Sequence, residues 1–168
     1  MNPTSPANVP ATRPTDPTVT TLATRQAALV AALVAGAPSP PGFAPETLAA
    51  TRTALLRKRA GEAARYWPLL ATGLGQRWLE VFQRWAAGRP PVGGLREGWD
   101  LARYLRGADA LPPLGADELA CWQARYHYPE PGHPPRPRRL PSWERVGGAV
   151  AVQFAGRVRL LRPARRRP

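Results

Sequence analysis

Apolar residues recur along most of this chain with the three- and four-residue spacing of amphipathic helices. The clearest case is a segment whose large side chains fall on one helical face, namely Trp78, Val81, Phe82 and Trp85. Leu95, Trp99, Ala102 and Leu105 repeat the pattern further along. The pattern predicts five helices, at residues 21–35, 45–66, 76–87, 95–106 and 115–127.

Capping and breaking residues set the predicted helix ends. Thr20 or Thr21 suits the N-cap of the first helix, and Gly36 suits its C-terminus. Pro45 suits a first helical turn, because a proline there loses no helical hydrogen bond. Pro68 restricts the residue before it and is expected to end the second helix.

The pattern changes after Tyr128, where a proline-rich stretch excludes helix interior and central strand. A β-hairpin is predicted beyond it. With a three-residue loop at 154–156, Val152 would face Val158, and Val150 would face Leu160. This register is preferred to a two-residue loop because it separates a packing face from an arginine face. The second face would carry Ala151, Gln153, Arg157 and Arg159.

These signals predict a mainly α fold, with a five-helix N-terminal domain and a small C-terminal β-hairpin module. Residues 1–19 contain five prolines and are expected to be a disordered leader. The expected organisation continues with a helical domain at 20–128, a proline-rich linker at 129–137, a hairpin module at 138–162 and a basic tail at 163–168.

Charge is unevenly distributed along the 168 residues. The net charge is +13, and residues 136–168 contain ten arginines against Glu144 alone. Such an excess favours anionic partners. Lys58 is the only lysine among 24 basic residues, a bias that resembles a GC-rich genome, so part of the arginine content is compositional background.

Targeting signals are weak. The apolar run 27–35, followed by Gly36-Ala37, imitates a secretory signal, but it starts late and fits a helix equally well. It is also too short to span a bilayer. Cys121 is the only cysteine, so no intrachain disulfide can form. We expect a cytoplasmic protein without membrane association.

No residue pattern indicates catalysis, and we expect a protein that is not an enzyme and binds no cofactor or metal. The chain has no Gly-x-Ser-x-Gly elbow and no phosphate-binding Gly-x-x-x-x-Gly-Lys loop. His127 and His133 are separated by prolines and lack further ligands. Cys121 is expected to be a buried structural thiol.

Basic clusters are the candidate binding residues, for phosphate or for a protein partner. One lies on the second predicted helix, one precedes the hairpin, one is on its second strand and one is at the C-terminus. The candidates are Arg57, Lys58, Arg59, Arg136, Arg138, Arg139, Arg157, Arg159, Arg165, Arg166 and Arg167. Tryptophans alternating with arginines could stack on nucleic acid bases, although their helical spacing favours core packing.

The order of these signals resembles the partner-protein family of multinuclear non-haem iron-dependent oxidases, especially actinobacterial members with an arginine-rich C-terminal hairpin. Trp67-Pro68 resembles the aromatic-proline pair that closes the second helix in that family. Leu74-Gly75 resembles the turn that follows this helix, and Phe82 resembles a core aromatic of the third helix. Arg57-Lys58-Arg59 corresponds to its basic-polar stretch, without the usual asparagines. The resemblance is carried by RQAALVAALVAG, TRTALLRKRAGEAARYWPLL, GLGQRWLEVFQRW, RPPVGGLREGWDLARYL, LPPL with DELACWQARYHY, and HPPRPRRLP.

The resemblance implies an accessory subunit of an oxidase that modifies cysteine-containing ribosomal peptides. The iron chemistry would belong to the oxidase, and this chain would help to engage the oxidase subunit or the precursor peptide. The N-terminal helical domain of that family has also been named a DNA-binding domain. DNA or RNA binding through the basic surface is therefore the alternative, and peripheral membrane binding is disfavoured because no strongly basic amphipathic helix is present.

Overall fold

The computed structural model describes residues 21–129 and 133–162. Within these ranges six α-helices precede five short β-strands. The helices are α1 (Leu22–Ala35), α2 (Pro45–Tyr66), α3 (Pro68–Leu74), α4 (Trp78–Ala86), α5 (Gly94–Gly107) and α6 (Pro113–Arg125). A 3-10 turn at Gly75–Arg77 joins α3 to α4. The strands are β1 (Tyr126–His127), β2 (Arg136–Pro137), β3 (Ser142–Val146), β4 (Ala149–Phe154) and β5 (Arg157–Leu161).

The fold class is confirmed as mainly α with a C-terminal β module. Both ends of α1 follow from local chemistry, because Thr21 caps its N-terminus and Gly36 ends it at a left-handed φ of 72°. Arg52 on α2 then holds α1 in place. Its Nε donates to the Ala32 carbonyl at 2.6 Å, and its Nη2 donates to the Ala37 carbonyl at 2.8 Å.

Helix α3 was not predicted. Pro68 ends α2 as expected, but it also occupies the first turn of the next helix, where its missing N–H costs nothing. Trp67 forms the corner between the two helices. The Glu118 carboxylate of α6 accepts a hydrogen bond from the Leu70 N–H at 2.7 Å, which satisfies one free donor at the start of α3.

Three tryptophans cluster in the core, one from the corner between α2 and α3, one from α5 and one from α6. The ring centroids of Trp67, Trp99 and Trp122 are each 5.9 Å from the other two. Trp67 and Trp99 are completely buried, as is Phe82. The prediction that the tryptophans pack in the core is confirmed for Trp67 and Trp99, and Trp78, Trp85 and Trp122 are partly buried against the same core.

The predicted hairpin register is wrong. β4 and β5 are joined by the two-residue loop Ala155-Gly156, both at positive φ, and Gln153 lies opposite Val158. A two-residue turn with positive φ at both positions matches the right-handed twist of the flanking strands, at the cost of a left-handed alanine. β3 adds an unpredicted third antiparallel strand, giving the order β3-β4-β5.

One face of this sheet packs against α6. Val146, Ala149 and Ala151 are buried and join the helical core. Gln153 is also buried on this face, and its amide bonds the Leu140 carbonyl at 2.9 Å and the Gly156 N–H at 3.2 Å. The sheet and the helices therefore share one continuous core, because residues from both belong to one cluster.

Several sequence predictions fall outside the described residues: the leader at 1–19, residues 130–132 of the linker, and the tail at 163–168 with Arg165, Arg166 and Arg167. Within the predicted linker, β2 pairs antiparallel with β1, placing Arg136 opposite His127. Along the described ranges, no helix combines the length and hydropathy needed to cross a membrane.

Candidate functional site

The basic cluster on α2 divides between surface and interior. Arg57 and Lys58 are exposed. Arg59 instead turns toward α5, where its Nε donates to the Glu97 carboxylate at 3.1 Å and its Nη1 donates to the Arg89 carbonyl at 3.0 Å. Glu97 is only 1% exposed. Arg59 therefore fastens α2 to α5, and only the other two cations of this cluster face solvent.

An open cleft of about 410 Å³ lies beside this cluster, between α1, α2 and the end of α4. Its walls include Leu33, Leu55 and Leu56, and Lys58 lies at its rim. Arg52 also lines the cleft, but its guanidinium is bonded to the carbonyls at the end of α1. The cleft offers mainly aliphatic surface.

The basic group before the sheet, Arg136, Arg138 and Arg139, also has both exposed members and a member bonded within the fold. Arg136 and Arg139 are exposed. Arg138 bridges the end of α6 and β3, because its Nε donates to the Gln123 carbonyl at 3.1 Å and its Nη2 donates to the Glu144 carboxylate at 3.1 Å. Arg138 thus serves the fold, and its neighbours remain available to a partner.

The sheet face turned away from α6 exposes aromatic, aliphatic and basic side chains together. We call it the outer sheet face. Its aromatic side chains Trp143 and Phe154 are each 69% exposed, and Leu161 is 56% exposed. Strand alternation and the register place eight residues on it: Trp143, Arg145, Val150, Val152, Phe154, Arg157, Arg159 and Leu161.

Sequence reasoning identified Arg157 and Arg159 but missed the aromatic part of this surface. The two arginines share a face, as predicted, but β4 contributes valines and Phe154 to that face instead of Ala151 and Gln153. Trp143 was missed because β3 was not predicted. The sequence of Ser142–Val146 has no apolar–polar alternation that would have revealed it, because Trp143 and Val146 lie on opposite faces of the strand.

β5 forms an edge of the sheet. Among the described residues its only strand partner is β4. An ion pair between Arg162 and the buried Asp117 of α6 anchors the chain just beyond the strand. This ion pair holds the end of β5 against α6. The open edge of β5 lies next to the outer sheet face.

A partly buried polar network links α5 to the end of the helical region. The Tyr128 hydroxyl donates to Asp100 Oδ2 at 3.0 Å, and the Arg103 guanidinium lies 4.9 Å from the Tyr128 ring centroid. Burial raises the pKa of Asp100 and lowers the pKa of Arg103. Burial, with the charge of Asp100, raises the pKa of Tyr128 to about 12. Tyr128 is thus bonded to two side chains of α5, through its hydroxyl to Asp100 and through its carbonyl to Arg103, and these bonds fasten the end of the helical region to α5.

The remaining reactive side chains are isolated from one another. Burial, followed by the charges of Asp117 and Glu118, raises the pKa of the half-buried Cys121 thiol, which disfavours the nucleophilic thiolate. His127 and His133 are exposed. Within residues 21–129 and 133–162, no three His, Cys, Asp or Glu side chains are grouped so that they could hold a metal ion.

Comparison with known proteins gives two matches. The sequence model of the family described as SCO6045-like, C-terminal domain matches residues 23–107. A UPF0276 protein of Streptomyces avermitilis is 41% identical over 93 residues, which are 55% of this chain and 19% of that protein. The match therefore spans about a fifth of the relative's length. No solved structure matches the chain.

Proposed function

This chain belongs to the SCO6045-like, C-terminal domain family, and on that premise we propose that it is a non-catalytic, cytoplasmic accessory subunit. It binds a multinuclear non-haem iron oxidase, the ribosomal peptide that the oxidase modifies, or both. The resemblance described above motivates the choice of oxidase. The Streptomyces relative supports the idea of a helper domain, because its matching segment belongs to a much longer polypeptide.

The observation that carries the proposal is the open edge of β5. Backbone N–H and C=O groups at such an edge can pair with an extended peptide, which then becomes an added strand. In a two-residue hairpin the two residues that close the turn, here Phe154 and Arg157, are hydrogen-bonded to each other. Along an antiparallel strand the backbone N–H and C=O groups then point alternately toward the paired strand and away from it. The backbone groups of Val158 and Leu160 consequently point toward the open edge.

Peptide modification tests this proposal. The oxidase and its precursor peptide are co-expressed with the chain, without it, and with the Val158→Pro variant, whose proline removes one outward N–H. We expect modification to require the chain and to fall with Val158→Pro, after thermal unfolding has shown that this variant folds. Unchanged modification in the absence of the chain would exclude the accessory role.

Nucleic acid binding is the second candidate, and the exposed pair Trp143 and Phe154 beside Arg157 and Arg159 favours it. Aromatic rings that stack on bases, with cations that contact phosphates, are typical of surfaces for single-stranded nucleic acid. Its affinity would fall steeply with salt, because binding releases counterions. An electrophoretic mobility-shift assay at low salt decides the matter, since absence of a shifted DNA or RNA band would eliminate this candidate.

A further inference from the structure

The outer sheet face has a continuous apolar centre. Val150, Val152 and Phe154 alternate along the central strand and point to the same side. Trp143 lies opposite Val152 on one flank, and Leu161 lies opposite Val150 on the other. Directly opposed side chains on neighbouring strands have Cβ atoms about 5 Å apart, so the five side chains form one unbroken patch.

Cations border this patch on both flanks. Arg157 lies opposite Phe154, Arg159 opposite Val152, and Arg145 opposite Val150. None of the eight residues of the outer sheet face is acidic. A large exposed apolar patch with a polar rim marks an interaction site, and a rim of one sign selects a partner of the opposite sign.

Charge argues against occupants from the same sequence. A second copy docked face to face would oppose three arginines to three arginines. The tail at 163–168 contains three further arginines, and residues 1–20 contain one arginine and one aspartate, so neither segment carries a net negative charge. The complementary occupant is therefore acidic and comes from another protein.

The shape of the patch favours a polypeptide over a nucleic acid. Only Trp143 and Phe154 are aromatic and could stack on a base. Val150, Val152 and Leu161 are aliphatic, and polar phosphates and base edges would not bury them. Apolar side chains of a peptide or helix can bury all five, and their burial is worth roughly 25 cal/mol per Å² of apolar area.

We infer that the outer sheet face is the docking surface for a partner-protein segment that presents apolar side chains flanked by Asp or Glu. The carboxylates pair with Arg145, Arg157 and Arg159, and the apolar side chains cover Trp143 and Phe154. This surface lies beside the open edge of β5 and is distinct from it. The inference stands on the sheet alone and does not require the partner to be an oxidase.

The test uses a random-peptide display library as the probe and the full chain as bait. Three variants are compared with the unaltered chain. Trp143→Ser/Phe154→Ser removes the exposed aromatics, Arg157→Glu/Arg159→Glu reverses the rim charge, and Tyr66→Ser/Tyr104→Ser is the matched control, because those tyrosines are 52% and 55% exposed on α2 and α5. Thermal unfolding checks that each variant folds.

We expect the unaltered chain and the tyrosine control to enrich peptides that combine apolar residues with Asp or Glu. Trp143→Ser/Phe154→Ser should weaken the selected peptides by about tenfold or more, as for aromatic anchors in other interfaces. Arg157→Glu/Arg159→Glu should select basic peptides instead. The charge reversal keeps the test decisive if the aromatic variant fails to fold.

Three outcomes would overturn the inference: selected peptides without an acidic bias, peptides that bind Trp143→Ser/Phe154→Ser equally well, or binding of single-stranded oligothymidylate in place of peptides with the same dependence on the two aromatics. The failure of this inference is distinguishable from failure of the accessory role. If peptide modification requires the chain but is unchanged by substitutions on the outer sheet face, the docking surface is refuted and the accessory role is retained.

Discussion

The backbone of Gly98 lies against the indole ring of Trp67. A Cβ atom at position 98 would be 2.1 Å from Cδ1 of that ring, far closer than atoms can approach. The ring cannot easily move away, because Trp67 is completely buried and its Nε1 donates to the Leu95 carbonyl at 2.8 Å. The packing of α5 on the corner between α2 and α3 thus depends on a glycine.

Replacing Gly98 with alanine is therefore expected to destabilise the fold. Overpacking of this kind typically costs about 1–3 kcal/mol of the free energy of unfolding. Gly61→Ala on α2 is the matched control, because a Cβ there meets no atom within 4 Å, and an exposed helical alanine is expected to stabilise by about 0.5–1 kcal/mol. Urea denaturation of both variants measures the difference, and equal effects would contradict the described contact.

The contrast between Arg59 and Lys58 gives a second prediction. Arg59→Met leaves the Glu97 carboxylate, whose side chain is 2% exposed, without its ion pair. Removing one partner of a buried pair typically costs about 3–5 kcal/mol. Lys58→Met removes an exposed charge and should change stability by less than about 0.5 kcal/mol. Similar unfolding midpoints for the two variants would show that Arg59 does not fasten α2 to α5.

Arg138 and Arg139 form a comparable pair beside the sheet. Arg138→Met loses the hydrogen bond to the Gln123 carbonyl and the half-exposed ion pair with Glu144. We expect a loss of about 1–2 kcal/mol, with faster amide hydrogen exchange in β3. Arg139→Met, at an exposed position, should leave both quantities unchanged. Unaltered exchange in β3 after Arg138→Met would refute the bridging role.

The raised pKa of Tyr128 predicts a loss of stability in alkali. The folded state holds the phenol proton until a pKa of about 12, whereas the unfolded chain releases it near the ordinary value of 10.0. The folded state thus binds more protons between these values, so the free energy of unfolding should fall as the pH rises from about 10 to about 12. Tyr128→Phe should flatten this dependence, and Tyr104→Phe, an exposed control, should not. Identical slopes for the two variants would contradict it.

Local sequence signals predicted α1 and α2 well, because Thr21, Gly36, Pro45 and Pro68 each act on the backbone within one helical turn. The predicted limits 21–35 and 45–66 agree with α1 and α2. The short helix α3 was missed because one proline ends one helix and begins another, and a local pattern cannot show that both happen at Pro68. Glu118 stabilises that start from 48 residues away.

The sheet register and the roles of the arginines are set by contacts between residues that are far apart in the sequence, so local patterns could not predict them. The three-residue loop was preferred because it separated the valines from the arginines, but β4 and β5 place both kinds of side chain on the outer sheet face, with Ala155 in the turn at a φ of 49°. Packing on α6 then buries Ala151 and Gln153 and leaves the valines outside. In the same way, Arg59 appeared equivalent to its neighbours until Glu97, 38 residues away, proved to be its partner.

Direct binding between this chain and a multinuclear non-haem iron oxidase from the same genome is the measurement that tests the accessory role most directly. An affinity-tagged full-length chain is co-expressed with the untagged oxidase, and the eluate is resolved by size-exclusion chromatography. We expect the two proteins to elute as one complex that persists in moderate salt. An oxidase that elutes alone, at its full cellular yield, would contradict it.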